Sequence, residues 1–147
     1  MSLIVVDASV AASWMLESQA TAATDAFFRT LPDHDAIAPA IFPLEVRSLL
    51  LRAERRLVLA RGGAAAALDR LEDLAIDVHP ATPVEALDRP LGLAREAGIS
   101  FYDAIYLELA VQMDAHLATR DGGLVTAGRR LGLKVHDLRP AIGVHED

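Results

Sequence analysis

Near its start the chain reads Leu3-Ile4-Val5-Val6-Asp7-Ala8-Ser9, and the architecture follows from this segment. An uninterrupted branched apolar run, cut off sharply by a polar residue, is the signature of a strand buried on both faces. Beyond it the apolar residues of 10–16 recur at helical spacing, so a strand passes almost directly into a helix with Asp7 at the join. That is the opening of a β-α-β unit.

The same alternation continues downstream. Helices are expected over residues 20–31, stopped by Pro32, and over 44–57, 64–74, 84–97, 100–113 and 124–131, with Gly98 and Gly132 as natural C-terminal stops. The 100–113 segment reads best. Ser100 and Asp103 resemble a capping box, and Phe101, Ile105, Leu109 and Met113 share one face. Short strands are expected at 35–38, 76–79, 116–119 and 134–138. Strands alternating with helices pair in parallel through right-handed crossovers, which predicts a three-layer α/β/α sandwich around a parallel sheet of four to five strands. No repeat or linker divides the chain, so one domain over residues 1–140 and a tail over 141–147 are expected.

Composition narrows the function classes. The chain has 147 residues, 52% hydrophobic and 24% charged, a folded-domain balance. No apolar stretch is long enough to span a membrane, and residues 1–3 lack the basic start of an export signal; a cytoplasmic protein is expected. With no cysteine, disulfides and thiolate metal sites are excluded, so any metal must use oxygen or imidazole. The net charge of −7 argues against a protein that holds DNA mainly by neutralising phosphates. It argues less against a nuclease, because a few cations in an acidic pocket invert the local field.

Four acids fall where sites form in parallel sheets, beyond the carboxyl ends of strands. Asp7 ends the first strand, Glu45 opens the helix after the second, Asp103 lies in the first turn of the helix before the fourth, and Asp121 follows the fourth. Each has an ordinary explanation as a helix-start residue, worth about 0.3–1 kcal/mol against the helix dipole. Together they need another. Two carboxylates about 4 Å apart repel by roughly 4 kcal/mol at an effective dielectric of 20. Mg2+ or Mn2+, hard cations that prefer oxygen and keep several waters, would offset this and activate a water against a phosphodiester. Such acids should converge within roughly 5 Å of one ion, allowing for a bridging water. The hydroxyls of Ser9 and Thr119, each two residues from an acid, are placed to orient a ligand or bind a phosphate.

The segments VVDAS (5–9), LEVRSLL (44–50), SFYDAIYLELA (100–110) and LATRDGGL (117–124) occur in this order along nearly the whole chain. They resemble the PIN-domain family, and in particular VapC-type toxins of bacterial toxin-antitoxin pairs. The resemblance implies a metal-dependent endoribonuclease on an α/β/α fold, inhibited by a cognate antitoxin and commonly a homodimer. It also implies that Asp7, Glu45, Asp103 and Asp121 form the catalytic, metal-binding quartet, supported by Ser9 and Thr119. The chain departs from the family pattern at Ser48, where Asn is common, and at Gly122-Gly123, which is expected to place Asp121 on a mobile loop.

Arg47, Arg52, Arg55, Arg56 and Arg61 cluster on and after the helix carrying Glu45 and offer an RNA track, although a compositional preference for Arg over Lys and a solvated helix face are the more ordinary account. The histidines, His34, His79, His116, His136 and His145, show no metal-binding spacing and read as scattered. Phe101, Tyr102 and Tyr106 read as core or subunit-contact residues more than as base-stacking ones, with the mouth of the site as an alternative for Tyr102 beside Asp103. Competing readings are a phosphatase or receiver-like phosphoryl-transfer protein, which would need a lysine where none stands, and a PIN fold used only for binding, which would tolerate loss of an acid.

Overall fold

A computed structural model describes residues 2–141. In chain order its elements are β1 (Ser2–Val6), α1 (Ala8–Met15), α2 (Ala22–Thr30), β2 (His34–Ala38), α3 (Phe42–Arg55) and α4 (Gly63–Glu72). They continue with β3 (Asp77–Val78), α5 (Asp88–Ala97), α6 (Phe101–Gln112), β4 (His116–Thr119), α7 (Gly122–Arg130) and β5 (Val135–Asp137). The expected tail lies, beyond Ala141, outside the described residues, as does His145.

All five strands pair in parallel, in the order β3-β2-β1-β4-β5. The sheet is flanked by helices, and side-chain alternation along β1 shows why. Val5 joins Ile37 and Leu117 on one face, under Val46 and Leu50 of α3, Leu107 of α6 and Leu124 of α7. Ile4 and Val6 join Ala36 and Ala118 on the other, under Phe27 and Phe28 of α2. Because both faces are covered, Ile4, Val5 and Val6 are all fully buried, which is what an apolar run without alternation requires.

Residues 84–97 do not form the single helix expected from their periodicity. A 3-10 turn, Val84–Ala86, precedes α5, which starts only at Asp88. Pro90 has no N–H to give, so it fits in a first turn and not in the interior of a helix begun at residue 84. Gly98 then takes φ 64° and ends α5, and Ser100 caps α6 by accepting from the Asp103 N–H. That sharp corner places Asp103.

Three of the five histidines are not scattered. His34 begins β2, His116 begins β4 and His136 lies in β5, and the sheet brings the three rings within 5.3–6.0 Å of one another. His116 Nδ1 and His136 Nε2 are 3.1 Å apart, with the ring planes only 27° from parallel and the centroids 5.3 Å apart. Most of that separation is the N···N contact plus the two ring radii, so the rings meet nitrogen to nitrogen in line. This is the geometry of a shared proton. Two lone pairs converging on a metal would meet at a wide angle, and no group of three ligating side chains among the described residues is arranged to hold an ion.

Burial first, then the nearby charges, holds both rings below the ordinary imidazole range: Lys134 and His34 act on His116, and His116, His34 and Lys134 on His136. A folded-state pKa below the unfolded value of 6.5 means that stability is complete above 6.5 and is lost as pH falls from there through the lower folded-state value. The cluster is therefore expected to lower the melting temperature progressively below pH 6.5, and His136→Gln to flatten that part of the curve in a thermal melt series.

Candidate active site

The strand order reverses between β1 and β4, where the crevice beyond the carboxyl ends of a parallel sheet opens. A cleft of about 340 Å3 lies there, lined by Asp7, Ser9, Glu45, Ser48, Arg52, Asp103, Arg120 and Asp121 among others. All four acids expected from sequence meet in it. Three come from helix starts and one from the end of β1.

Asp7 occupies the N-cap position of α1 but makes no capping bond; its N–H instead continues the ladder to Ala118. The carboxylate is only 7% exposed and is held by two hydroxyls, Ser9 Oγ at 3.0 Å and Thr119 Oγ1 at 2.9 Å, both donating to Oδ2. Thr119 also accepts from the Asp121 N–H at 3.0 Å, so one buried hydroxyl links the first acid to the last. Fully buried, Thr119 orients an acid and does not reach a phosphate.

Asp121 does cap, accepting from the Leu124 N–H at 2.9 Å. Gly122-Gly123 is not a loop after it but the first turn of α7. A Cβ on Gly123 would lie 3.1 Å from Asp121 Oδ2 and 3.2 Å from Ile99, so the missing side chain leaves room for the capping carboxylate.

The electrostatics show how tightly the acids are coupled. Burial raises Asp7 to about 6; the two hydroxyl bonds oppose the rise, and the charges of Asp103 and Glu45 add to it. Glu45 is also pushed up, by burial first and then by Asp103, against a lowering contact from Tyr106. For Asp103 burial again leads, followed by the charge of Asp121, with Ser100 opposing. Asp103 thus faces repulsion with each of the other three.

No three of these side chains close into a ready cage among the described residues, contrary to the convergence expected from sequence. Like charges held by separate hydrogen bonds stay apart around the cleft. The donor set still fits a hydrated hard cation, which needs one or two carboxylates and keeps its waters. Glu45 Oε1 is buried behind the cleft with no hydrogen-bond partner.

The arginines divide. Arg52 shares the cleft, whereas Arg47 folds back to donate to the Pro43 carbonyl at 2.9 Å and lines a different groove with Phe42 and Leu68. Arg55 and Arg56, at the far end of α3, are exposed and outside the lining. Tyr102 is exposed too, and lines a separate apolar groove with Pro39, Pro83 and Leu109 instead of the acidic mouth. Two cleft neighbours escaped the sequence reading. Arg120 lines the cleft, and its position beside Asp121 was the available signal. Tyr106 is fully buried and lies against Glu45; its helical spacing read simply as core.

Among solved structures, the fold is similar to that of PAE2754 from Pyrobaculum aerophilum, with 23% identity over 92% of this chain and 90% of that one and a TM-score of 0.66. It is also similar to a domain of a functionally unknown protein from Methanocaldococcus jannaschii DSM 2661, with 17% identity over 99% and 97% and a TM-score of 0.52. A search of curated proteins returns no match. The family model described as PIN domain matches residues 4–129, a span that takes in β1 through β4, all four acids and nearly all of α7; the chain belongs to the PIN domain family.

Proposed function

We propose that this chain is a divalent-metal-dependent endoribonuclease acting as the cytoplasmic toxin of a VapC-type toxin-antitoxin pair. PIN domains are generally nucleases and typically use divalent metal ions. The observation that carries the reading is the cleft at the β1–β4 crossover, where four carboxylates meet and Asp103 repels each of the other three.

Asp7, Glu45, Asp103 and Asp121 would hold Mg2+ or Mn2+ directly or through water. When bound, the ion supplies Lewis acidity toward a phosphoryl oxygen and a water acidic enough to attack it. The protein supplies position. Ser9 and Thr119 hold Asp7 through Oδ2, leaving Oδ1 for the cleft. Arg52, at the same cleft, is placed to meet an RNA phosphate flanking the scissile bond, while Arg120 beside it donates to the Gln19 carbonyl at 3.1 Å. A homodimer and a cognate antitoxin belong to this proposal as its partners.

Purified protein, freed of any co-purifying antitoxin, is expected to cut RNA with Mn2+ or Mg2+, to stop on addition of EDTA, and to lose cleavage in Asp103→Asn. Undiminished cleavage by Asp103→Asn sinks the mechanism. Manganese binding without cleavage of any RNA tested favours the binding module.

A further inference from the structure

Tyr106 is fully buried within α6, among Val46, Leu107 and Ala110, yet its hydroxyl has no hydrogen-bond partner. For the core alone this is a poor choice, since a buried unsatisfied hydroxyl keeps the full cost of its lost hydration and phenylalanine would fill the same space without it. The polar side chain against that hydroxyl is Glu45, and the Ala8 N–H at the start of α1 lies against it as well. Glu45 Oε1 is the other buried side-chain atom without a partner among the described residues. An unused donor therefore neighbours an unused acceptor, just behind the cleft.

We infer that Tyr106 is a positioning residue for Glu45: its hydroxyl donates to Oε1 when a cation draws the carboxylate forward, and so fixes which oxygen Glu45 presents to the cleft. The role rests on the metal reading above and deepens it. Oε1 is turned into the protein, Oε2 is left for the ion, and the Ala8 N–H places the hydroxyl at the junction that also carries Asp7. Tyr106 is the side chain whose hydrogen bonding acts on Glu45, so a freely rotating carboxylate is the alternative that Tyr106 removes.

The test is manganese titration by calorimetry at pH 7.5 of the wild type, Tyr106→Phe, Glu45→Gln and the double variant, with melting temperatures of each metal-free protein. Tyr106→Phe is expected to melt no lower than wild type without metal, to bind manganese about tenfold more weakly, as loss of one hydrogen bond to a charged group implies, and to cause no further loss when added to Glu45→Gln. Wild-type affinity in Tyr106→Phe overturns the role. So does an equal loss in the Glu45→Gln background, which would mean an effect through the core, or a lower metal-free melting temperature, which would make the hydroxyl a structural group. Absence of manganese binding by the wild type is a different result, and removes the metal reading itself.

Discussion

Asp7→Asn is expected to abolish RNA cleavage while making the metal-free protein more stable. Loss of a group that merely supports a metal ligand typically costs 10–100-fold, so removing the most buried acid of the cleft should cost at least about a hundredfold. The stability gain comes from the same burial. Asp7 carries a pKa of about 6 against 3.8, and at about 1.4 kcal/mol per unit its ionised form at neutral pH costs the fold on the order of 3 kcal/mol. Asparagine keeps an oxygen for Ser9 and Thr119 and removes the charge. If about 2 kcal/mol of that cost is recovered, the melting temperature at pH 7.5 rises by roughly 4–8 °C. Cleavage at wild-type rate refutes the catalytic assignment, and a fall in melting temperature refutes the electrostatic account of the cleft.

The second large effect couples metal to pH. For Asp7 the folded pKa is raised, so its stabilising contribution is complete below 3.8, declines as pH rises through about 6, and has gone above it. That is opposite in sign to the His116–His136 pair, and the two are separable by variant. A divalent cation binds the ionised carboxylates and competes with protons. Manganese is therefore expected to raise the melting temperature strongly at pH 8, by the equivalent of about 2.7 kcal/mol at a hundred times its dissociation constant, and hardly at all at pH 5. Equal stabilisation at both pH values would mean that the ion sits elsewhere.

Much of this was legible before any coordinates. β1 announces itself as a short apolar run and the four acids by their place at strand ends and helix starts, because both signals are local, whereas the polar β2, β3 and β5 are marked mainly by their place between helices. What was hidden depends on non-local geometry. His34, His116 and His136 are distant in sequence and meet only because the strand order sets β2, β1, β4 and β5 side by side. Arg47 and Arg52 looked alike until packing decided which side of α3 faces the cleft. Asp7 resembled a helix cap, and only the Thr119 contact shows its carboxylate turned to another purpose. Tyr106 was read correctly as core, but periodicity cannot show that a buried ring carries its hydroxyl to a carboxylate.

The bond from Thr119 to Asp7 spans 112 positions. During synthesis the chain exposes Asp7 and Glu45 early, and β1 can pair with β2 long before β4 has left the ribosome. Until it does, Asp7 lacks the hydroxyl that aims it, and neither Asp103 nor Asp121 is in place beside it. A prematurely terminated product thus carries two of the acids and no cleft. Docking of β4 is what arms the chain, and since that strand brings Thr119 and the following Asp121 to Asp7, a waiting cation would favour that step.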